Sequence, residues 1–295
     1  MLLCHGLGAN RYNLDAPGQL SLARWLCKQG FDCWVIELRG AGDSSRPRLT
    51  NRLRYNWTFD DYVNHDLPAA LAEIRKQTGE EQVHWVGHSM GGMLGYAYLI
   101  RQNPSQVRSL TAIASPSFSK LGNRLFDRIV GFRKLVEKLP KLPYQHTGVF
   151  LVPGMPLFKE TFGRLFGNPR NLSTTALMKL VVLAPTDLPT TLLSQLADWY
   201  SEDGGFRDAY GNINYCSELH RIQAPALVLA GAGDQLTPPE DLEFVFDRLG
   251  SPDKEFMLLG QNMGCRHDYG HIDLVLGKHA PSEVWPHILN WISEH

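Results

Sequence analysis

The stretch at residues 83–92 reads VHWVGHSMGG and contains the pattern G-x-S-x-G. An apolar, β-prone run precedes the pattern and small and apolar residues follow it, which is the strand–turn–helix context that the motif requires. The chain must turn abruptly here, so Gly87 and Gly91 leave space where side chains would collide. We expect Ser89 to adopt a strained backbone conformation with its hydroxyl exposed. The following helix would direct free N–H groups at the reacting centre, so Ser89 is predicted to be a nucleophile.

Strand and helix signals alternate on both sides of this motif. Continuous β-prone runs are typical of buried parallel strands, and apolar residues at helical spacing indicate helices between them. The predicted strands are 2–4, 33–38, 82–86, 110–114, 226–230 and 256–259, and the predicted helices are 19–29, 59–78, 90–102, 239–249 and 282–293. Pro68 predicts a kink, or two shorter helices, within the second of these helices. The alternation predicts an α/β fold, with a mostly parallel central sheet and helices on both faces.

The alternation is lost between residues 117 and 215. A structureless loop of this length is implausible, and the segment is rich in aromatic residues, leucine and proline. We interpret 117–215 as a helical cap inserted into one α/β core, formed by residues 1–116 and 216–295, because the alternation resumes afterwards. An independent second domain is the alternative. The apolar residues that would line a substrate pocket, or merely pack the cap on the core, are Phe118, Leu125, Phe126, Phe150, Leu151, Met155, Leu157, Phe158, Phe162 and Phe166.

Composition and charge argue against several classes of protein. The 295 residues carry a formal net charge of −1, so no global field attracts nucleic acid or an anionic membrane. The five cysteines are odd in number, which excludes complete disulfide pairing within the chain. No apolar stretch approaches the ~20 residues of a membrane helix, and the first residues lack the features of a secretory signal. A cytoplasmic protein without a transmembrane segment is expected.

Several motifs together resemble one enzyme superfamily. The Gly-His-Ser-Met-Gly turn, the stretch WTFDDY at 57–62 and the stretch DLPA at 66–69 are similar to an acid-lipase-like group. This group lies in the lipase and carboxylesterase branch of the α/β-hydrolase superfamily. The resemblance covers nearly all of the chain outside residues 117–215. It implies the α/β-hydrolase fold, with the order nucleophile, acid, histidine along the chain.

The resemblance also points to an acid and a base for Ser89, whose hydroxyl is a weak nucleophile until an oriented base takes its proton. Asp234 follows an apolar strand in a Gly-rich turn, and His271 follows the last predicted strand by a loop. Both match the places where the family carries its acid and its base. His267, only four residues from His271, is the rival base.

A metal site is a second interpretation of the loop around His267. Cys265, His267 and Asp268 are residue types that bind metals, but a polar surface loop is the favoured interpretation. The chemistry implied by the resemblance needs neither a metal nor a cofactor, and we expect none.

The loop after the first predicted strand, at residues 5–8, reads HGLG and matches the family's His-Gly-x motif. The resemblance implies that the backbone N–H of Leu7 and that of Met90 form an oxyanion hole. Each such donor contributes roughly 3 kcal/mol to stabilising the oxyanion. Because both donors are backbone groups, side-chain substitutions at Leu7 or Met90 should matter less than substitution of Ser89.

The other motif residues are expected to support these two turns. His5 and Gly6 belong to the oxyanion loop, where His5 would act as a structural pin. Gly87 and Gly91 flank the nucleophile, and His88 fills the variable place beside it. We expect His88 to pack or to form hydrogen bonds nearby.

The start of the chain departs from the family pattern. The family normally has two strands ahead of the His-Gly strand, whereas this chain begins four residues before His5. Either those N-terminal strands are missing, or the start lies inside a longer gene product that could have carried a signal. If they are missing, strand 33–38 becomes an exposed sheet edge, which favours pairing with another chain. A homodimer through this edge, or lower stability, is then expected.

These observations favour a carboxylesterase or lipase that acts on a small ester with an apolar acyl or alcohol part. A thioesterase, lactonase, C–C hydrolase or acyltransferase could use the same residues, because fold and triad do not separate these reactions. Haloalkane dehalogenase and epoxide hydrolase would need aspartate in place of Ser89, and polyester synthase would need cysteine. A non-catalytic binding protein of this fold and a broken gene product that folds poorly are the remaining alternatives.

Overall fold

The computed structural model describes residues 1–118, 138–200 and 205–295. The strands are β1 (Leu2–Cys4), β2 (Trp34–Ile36), β3 (Val83–His88), β4 (Val107–Ile113), β5 (Lys141–Leu142), β6 (Leu188–Pro189), β7 (Ala226–Gly231) and β8 (Lys254–Leu259). Six of them form one sheet in the order β2-β1-β3-β4-β7-β8, and β5 pairs with β6 in an antiparallel ladder.

Every neighbouring pair in the six-stranded sheet is parallel. In the register, Leu3 lies beside Val35 on one side and beside Val86 on the other. Parallel strands need helices between them, and helices on both faces bury the sheet. The predicted α/β fold with a mostly parallel sheet is therefore confirmed.

The helices connect consecutive strands and cover the sheet. The α-helices are α1 (Leu22–Lys28), α2 (Phe59–Asp61), α3 (Leu67–Thr78), α4 (Met90–Arg101), α5 (Thr147–Leu151), α6 (Met155–Phe166), α7 (Thr174–Leu183), α8 (Thr190–Trp199), α9 (Tyr215–Glu218), α10 (Pro239–Arg248), α11 (Asp273–Leu276), α12 (Ala280–Glu283) and α13 (Trp285–Glu294). Among the described residues, none of these helices is both long and apolar enough to cross a membrane.

The predicted kink near Pro68 takes the form of a π-helical turn. Residues Tyr62–Asp66 form this turn between α2 and α3, so α2, the turn and α3 run on without a break in the chain. Pro68 lies in the first turn of α3, where its missing N–H is tolerated. Gly79 ends α3 in the left-handed conformation, with φ of 77°.

The sheet separates two apolar clusters. Successive side chains of β3 point to opposite faces, so Trp85 belongs to one cluster and Val86 to the other. Tyr96 of α4 packs in the first cluster, and Trp285 of α13 packs in the second. Each cluster holds its helices against one face, and together they fix the carboxyl edge of the sheet.

The turn between β3 and α4 is as tight as the G-x-S-x-G pattern predicts. Ser89 has φ of 55° and ψ of −121°, a conformation rare for a residue with a side chain. A Cβ atom at Gly87 would overlap the backbone of Gly91, and a Cβ atom at Gly91 would overlap the carbonyl group of Cys4. The two glycines thus allow α4 to begin directly against the end of β1.

Strand β2 lies at one end of the sheet in the part of the chain that the structure describes. This agrees with the edge expected for strand 33–38. The predicted cap is described only at 117–118, 138–200 and 205–215, where α5–α8 and the β5–β6 pair lie. Leu125 and Phe126 lie outside the described residues. The division of the chain into core and cap remains a prediction.

We predict that Gly91→Ala lowers the free energy of unfolding by about 2 kcal/mol or more, because the new methyl group must displace backbone rather than a flexible side chain. Urea unfolding followed by tryptophan fluorescence measures this change. The matched control is Gly233→Ala, where the nearest atoms would lie 3.4 Å from the new Cβ. A Gly91→Ala protein as stable as the control would contradict the steric role of Gly91.

Candidate active site

Three predicted site residues meet at the carboxyl edge of the sheet. Ser89 follows β3, Asp234 lies in the turn after β7, and His271 lies in the loop after β8. Strands that run parallel deliver the loops at their carboxyl ends to the same edge, which is where such sheets bind ligands. The fold therefore brings together residues that are up to 182 positions apart.

The three side chains form a continuous chain of hydrogen bonds. His271 Nε2 lies 2.9 Å from Ser89 Oγ, and His271 Nδ1 lies 2.9 Å from Asp234 Oδ2. A neutral imidazole that donates from Nδ1 to the carboxylate presents its Nε2 lone pair to the hydroxyl. This arrangement has the geometry of a nucleophile, a general base and an orienting acid.

The carboxylate of Asp234 is buried and well supplied with donors. It accepts the backbone N–H groups of Leu236 and Thr237 at 2.8 and 2.9 Å, and the Thr237 hydroxyl donates to Oδ2 at 2.6 Å. Burial alone raises the pKa of Asp234, but the charge and hydrogen bond of His271 and the bonds from Thr237 outweigh it. The pKa of Asp234 therefore lies below its usual value, and the group is a carboxylate at neutral pH.

A second buried carboxylate fixes the loop that carries His271. Asp273 accepts the N–H of Gly270 at 3.1 Å and the N–H of Asn168 at 3.0 Å through Oδ1, and the side-chain amide of Asn171 donates to Oδ2 at 2.8 Å. Asn168 and Asn171 belong to the 117–215 segment. That segment therefore shares hydrogen bonds with the histidine loop and restricts its movement.

The loop at residues 5–8 lies against the nucleophile. A Cβ atom on Gly6 would approach Ser89 Cβ to 3.2 Å, and Leu7 is the next residue along this loop. Met90 is the first residue of α4, so its N–H has no acceptor within the helix. Both predicted oxyanion donors thus lie beside Ser89 in the chain or in space, and their assignment remains a prediction.

His5 connects the ends of two strands. Its Nδ1 donates to the carbonyl oxygen of Gly6 at 2.9 Å, and its Nε2 accepts the N–H of Leu38 at 3.3 Å. Burial lowers the pKa of His5, so the ring is neutral and can act as donor and acceptor at once. These two hydrogen bonds hold the loop at residues 5–8 against the end of β2.

His88 and Asn13 join the oxyanion loop to the histidine loop. His88 Nε2 lies 3.1 Å from the carbonyl oxygen of His271, and His88 Nδ1 lies 3.0 Å from Asn13 Oδ1. The same Asn13 oxygen accepts the N–H of Gly6 at 2.9 Å. A neutral ring carries one N–H, so His88 donates through only one of its two nitrogens.

The rival assignments in the histidine loop receive no geometric support. His267 forms no hydrogen bond with Ser89 or Asp234 within the described ranges. No group of three or more His, Cys, Asp or Glu side chains among the described residues could hold a metal ion.

Sequence reasoning missed Asn13 and the pair Asn168 and Asn171 as parts of the site. Each acts across a long separation, 75 residues from Asn13 to His88 and 102 from Asn171 to Asp273, so no local motif marks them. The contact of Thr237 with Asp234 could have been expected from the sequence, because Asp side chains in turns accept hydrogen bonds from residues a few positions further on.

Comparisons with known proteins identify the family of this fold. Residues 1–260 match the family model for the alpha/beta hydrolase fold, and the chain belongs to this family. It is 24% identical over 315 residues to "Triacylglycerol lipase 2" of Arabidopsis thaliana, which covers 97% of this chain and 74% of the relative. It is 25% identical over 305 residues to "Poly(3-hydroxyalkanoate) polymerase subunit PhaC" of Haloferax mediterranei. That match covers 100% of this chain but spans only 58% of the polymerase subunit.

A solved structure extends the comparison to the fold. The chain resembles the structure of Paleococcus ferrophilus monoacylglycerol lipase with a TM-score of 0.65 and 18% identity, over 100% of this chain and 93% of the other. The resemblance to the α/β-hydrolase superfamily that the sequence motifs suggested is confirmed.

We predict that His88 makes stability depend on pH. Burial first, and then the neighbouring His271, lower the pKa of His88 from 6.5 to about 3. As pH falls from 6.5 towards 3, the unfolded chain takes up a proton that the folded chain refuses. The free energy of unfolding therefore falls by up to about 1.4 kcal/mol per pH unit across this window because of His88.

Urea unfolding of the parent and of His88→Asn at several pH values between 7 and 4 (about 1 unit apart) checks this slope. The free energy of unfolding of the variant should fall less on acidification, because asparagine takes up no proton in either the folded or the unfolded chain. The exposed His65→Asn serves as the matched control and should keep the parent slope. Equal slopes for all three proteins would show that His88 is not a buried neutral ring.

Proposed function

We propose that this protein is a carboxylic ester hydrolase, a carboxylesterase or lipase, with Ser89, His271 and Asp234 as its catalytic triad. The observation that carries the proposal is the unbroken hydrogen-bond chain from Ser89 Oγ through the His271 ring to Asp234. The similarity to a protein named as a triacylglycerol lipase supports ester hydrolysis. An intact triad argues against a purely binding role for the fold.

In the acylation step, Ser89 Oγ attacks the ester carbonyl carbon while His271 Nε2 takes the hydroxyl proton. The carbonyl π electrons move to oxygen and give a tetrahedral oxyanion. His271, now an imidazolium held by the Asp234 carboxylate, donates its Nε2 proton to the leaving alkoxide oxygen. The C–O bond of the ester breaks, the alcohol leaves, and the acyl group remains on Ser89.

Deacylation repeats this sequence with water. His271 Nε2 takes a proton from water, and the resulting hydroxide equivalent attacks the acyl carbon. Collapse of the second tetrahedral intermediate expels Ser89 Oγ, which takes the proton back from His271. Asp234 stays ionised throughout, consistent with the lowered pKa of its carboxyl group.

The oxyanion of both intermediates would accept hydrogen bonds from the N–H groups of Leu7 and Met90. The position of Gly6 against Ser89 and the start of α4 at Met90 support this assignment. The network from His88 through Asn13 to Gly6 would hold the loop in place before substrate arrives, so little reorganisation accompanies the reaction.

We assign residues 117–215 as a cap on a core formed by 1–116 and 216–295. The hydrogen bonds of Asn168 and Asn171 to Asp273 support a cap that packs directly over the histidine loop. A small ester with an apolar acyl or alcohol part is the proposed substrate. A homodimer through the edge of β2 and a cytoplasmic location remain predictions that rest on the sequence.

We predict that a fluorophosphonate probe labels the purified protein and that p-nitrophenyl butyrate is hydrolysed. Ser89→Ala should abolish labelling and lower kcat/KM about a thousandfold or more, because alanine has no hydroxyl with which to form the acyl-enzyme. Parallel gel fluorescence and absorbance assays measure both. Labelling that persists in Ser89→Ala, or a folded parent protein without labelling, would contradict the proposed nucleophile.

We further predict that His271→Ala costs about a thousandfold or more in kcat/KM, whereas His267→Ala costs less than about tenfold. The reason is that, of these two histidines, His271 lies at hydrogen-bond distance from Ser89 Oγ and His267 does not. Steady-state kinetics on the same ester compare the two. If His267→Ala lost more kcat/KM than His271→Ala, His267 rather than His271 would be the general base.

Acyl transfer to an alcohol is the second candidate function, because the chain is also similar to a polymerase subunit. The residue at the nucleophile position is serine, whereas the resemblance suggests cysteine for polyester synthases. Adding methanol to the ester assay separates the two reactions. A methyl ester formed in large excess over free acid at low alcohol concentration would favour transfer over hydrolysis.

A further inference from the structure

The connection after β2 contains an unusual concentration of positive charge. Residues 46–54, which we call the arginine loop, read RPRLTNRLR and hold four arginines. Between Asp43 and Asp60 the sequence has no acidic residue. The net charge of −1 for the whole chain therefore conceals one strongly basic segment.

The side chains of this loop are largely exposed to solvent. Arg48, Arg52 and Arg54 are exposed, and none forms an ion pair with a carboxylate among the described residues. Arg46 donates to the neutral side chain of Gln145 at 3.4 Å, and after Arg11 its charge contributes to lowering the pKa of Asp43. By contrast, the surface residue Arg11 contacts both Glu37 and Asp43. Arg48, Arg52 and Arg54 are thus the part of the arginine loop whose charge has no carboxylate partner in the described part of the chain.

Large apolar side chains are interleaved with this charge. Leu49 is fully exposed to solvent, and Leu53 is 50% exposed. A partner that offered only phosphate groups would give these leucines nothing to contact. Exposed leucines between arginines instead suit a boundary where charged head groups meet apolar chains.

The basic and apolar surface continues across a groove of about 450 Å³. Arg46 and Tyr55 line it from the segment after β2, and Lys141, His146 and Phe150 line it from residues 141–150. Asp187 also lines the groove and forms an ion pair with Lys141, so among the described residues Arg46 supplies the unpaired positive charge there. The Lys141 ammonium lies 4.8 Å above the Tyr55 ring and connects the two segments.

The second segment repeats the mixture of charge and apolar surface. Phe150 is 84% exposed and its neighbour Val149 is 53% exposed. Arg46 of the arginine loop and the exposed Phe150 of the second segment thus border the same groove.

This surface lies at the same edge of the sheet as Ser89. The arginine loop follows the carboxyl end of β2, and Ser89 follows the carboxyl end of the parallel strand β3. Tyr144 and Leu188 pack within 3.6 Å of the position that a Cβ atom on Gly8 would occupy, at the end of the HGLG loop. The groove segment that contains Tyr144 therefore lies beside the loop next to Ser89.

We propose that the arginine loop and residues 141–150 dock on the surface of a lipid bilayer that contains anionic phospholipids. The arginines contact the phosphate and carboxylate groups of the lipid heads, and Leu49, Leu53 and Phe150 enter the boundary between head groups and acyl chains. Charge and apolar burial then act together, as in other peripheral membrane contacts. Docking does not depend on ester hydrolysis.

Co-sedimentation with vesicles tests this proposal in the full-length Ser89→Ala protein, which removes any hydrolysis. One set of vesicles is phosphatidylcholine alone, and the other contains about one third phosphatidylserine. We expect binding to the second set, weak or no binding to the first, and weaker binding as salt is raised from about 50 to about 500 mM, because salt screens the head-group charge.

Two sets of substitutions separate charge from apolar contact. Arg48→Gln, Arg52→Gln and Arg54→Gln together should weaken binding about a hundredfold, from the usual contribution of each basic residue near an anionic surface. Leu49→Ser with Leu53→Ser should weaken it about tenfold at unchanged charge. The matched control carries three substitutions at the amino edge of the sheet, Arg108→Gln, Arg221→Gln and Arg248→Gln. It should change vesicle binding no more than about twofold.

Several outcomes would overturn the proposal. Absence of binding to the phosphatidylserine vesicles is one, and an equal loss in the control triple variant is another. If the arginine variant abolishes binding while the leucine variant leaves it unchanged, and a short DNA duplex binds as well as the vesicles do, the surface is a polyanion site instead. Circular dichroism and urea unfolding of each variant establish that the exposed substitutions leave the fold intact.

Discussion

The close approach of α4 to the end of β1 is the constraint on which the site depends. The absence of a side chain at Gly91 lets the helix begin against the carbonyl of Cys4, and the absence of one at Gly87 lets the turn close on itself. Ser89 takes up the strain with a positive φ, and its N–H donates to the carbonyl of Ile113 at 2.7 Å. One turn therefore fixes the nucleophile relative to three strands, β1, β3 and β4.

The remaining parts of the site are held by buried polar groups rather than by packing alone. Two carboxylates have distinct tasks: Asp234 faces the His271 ring, and Asp273 receives backbone and side-chain N–H groups that shape the loop around it. His88, kept neutral by burial, contacts that loop from the other side. An unpaired member of such a network would be costly, so these groups also specify one arrangement of the loops.

The carboxyl edge of the sheet combines this preorganised centre with a surface of very different character. The centre is buried and its charges are paired, whereas the arginine loop is exposed and its charges face solvent. Both follow from the same topology, because every connection at this edge leaves a parallel strand. A net charge of −1 for the whole chain is therefore compatible with a cluster of exposed arginines at the sheet edge that carries Ser89.

The sequence by itself determined the alternation of strands and helices, the parallel sheet and the tight turn at Ser89, whereas Asp234 and His271 became candidates through the resemblance to the α/β-hydrolase superfamily. These features depend on local sequence, since periodicity, glycine at a crowded turn and an aspartate after a strand act over a few residues. Helix ends were also close to their predicted positions, and the kink at Pro68 became a π turn.

Only the tertiary structure decided the distances between Ser89, His271 and Asp234. It also decided the hydrogen bond between Asn13 and His88, and the hydrogen bonds that Asn168 and Asn171 donate to Asp273. A hydrogen bond between residues 75 or 102 positions apart imposes no spacing on the chain, because its geometry arises from the packing of whole strands and helices. The same reason applies to the groove between the arginine loop and residues 141–150, whose walls meet only after folding.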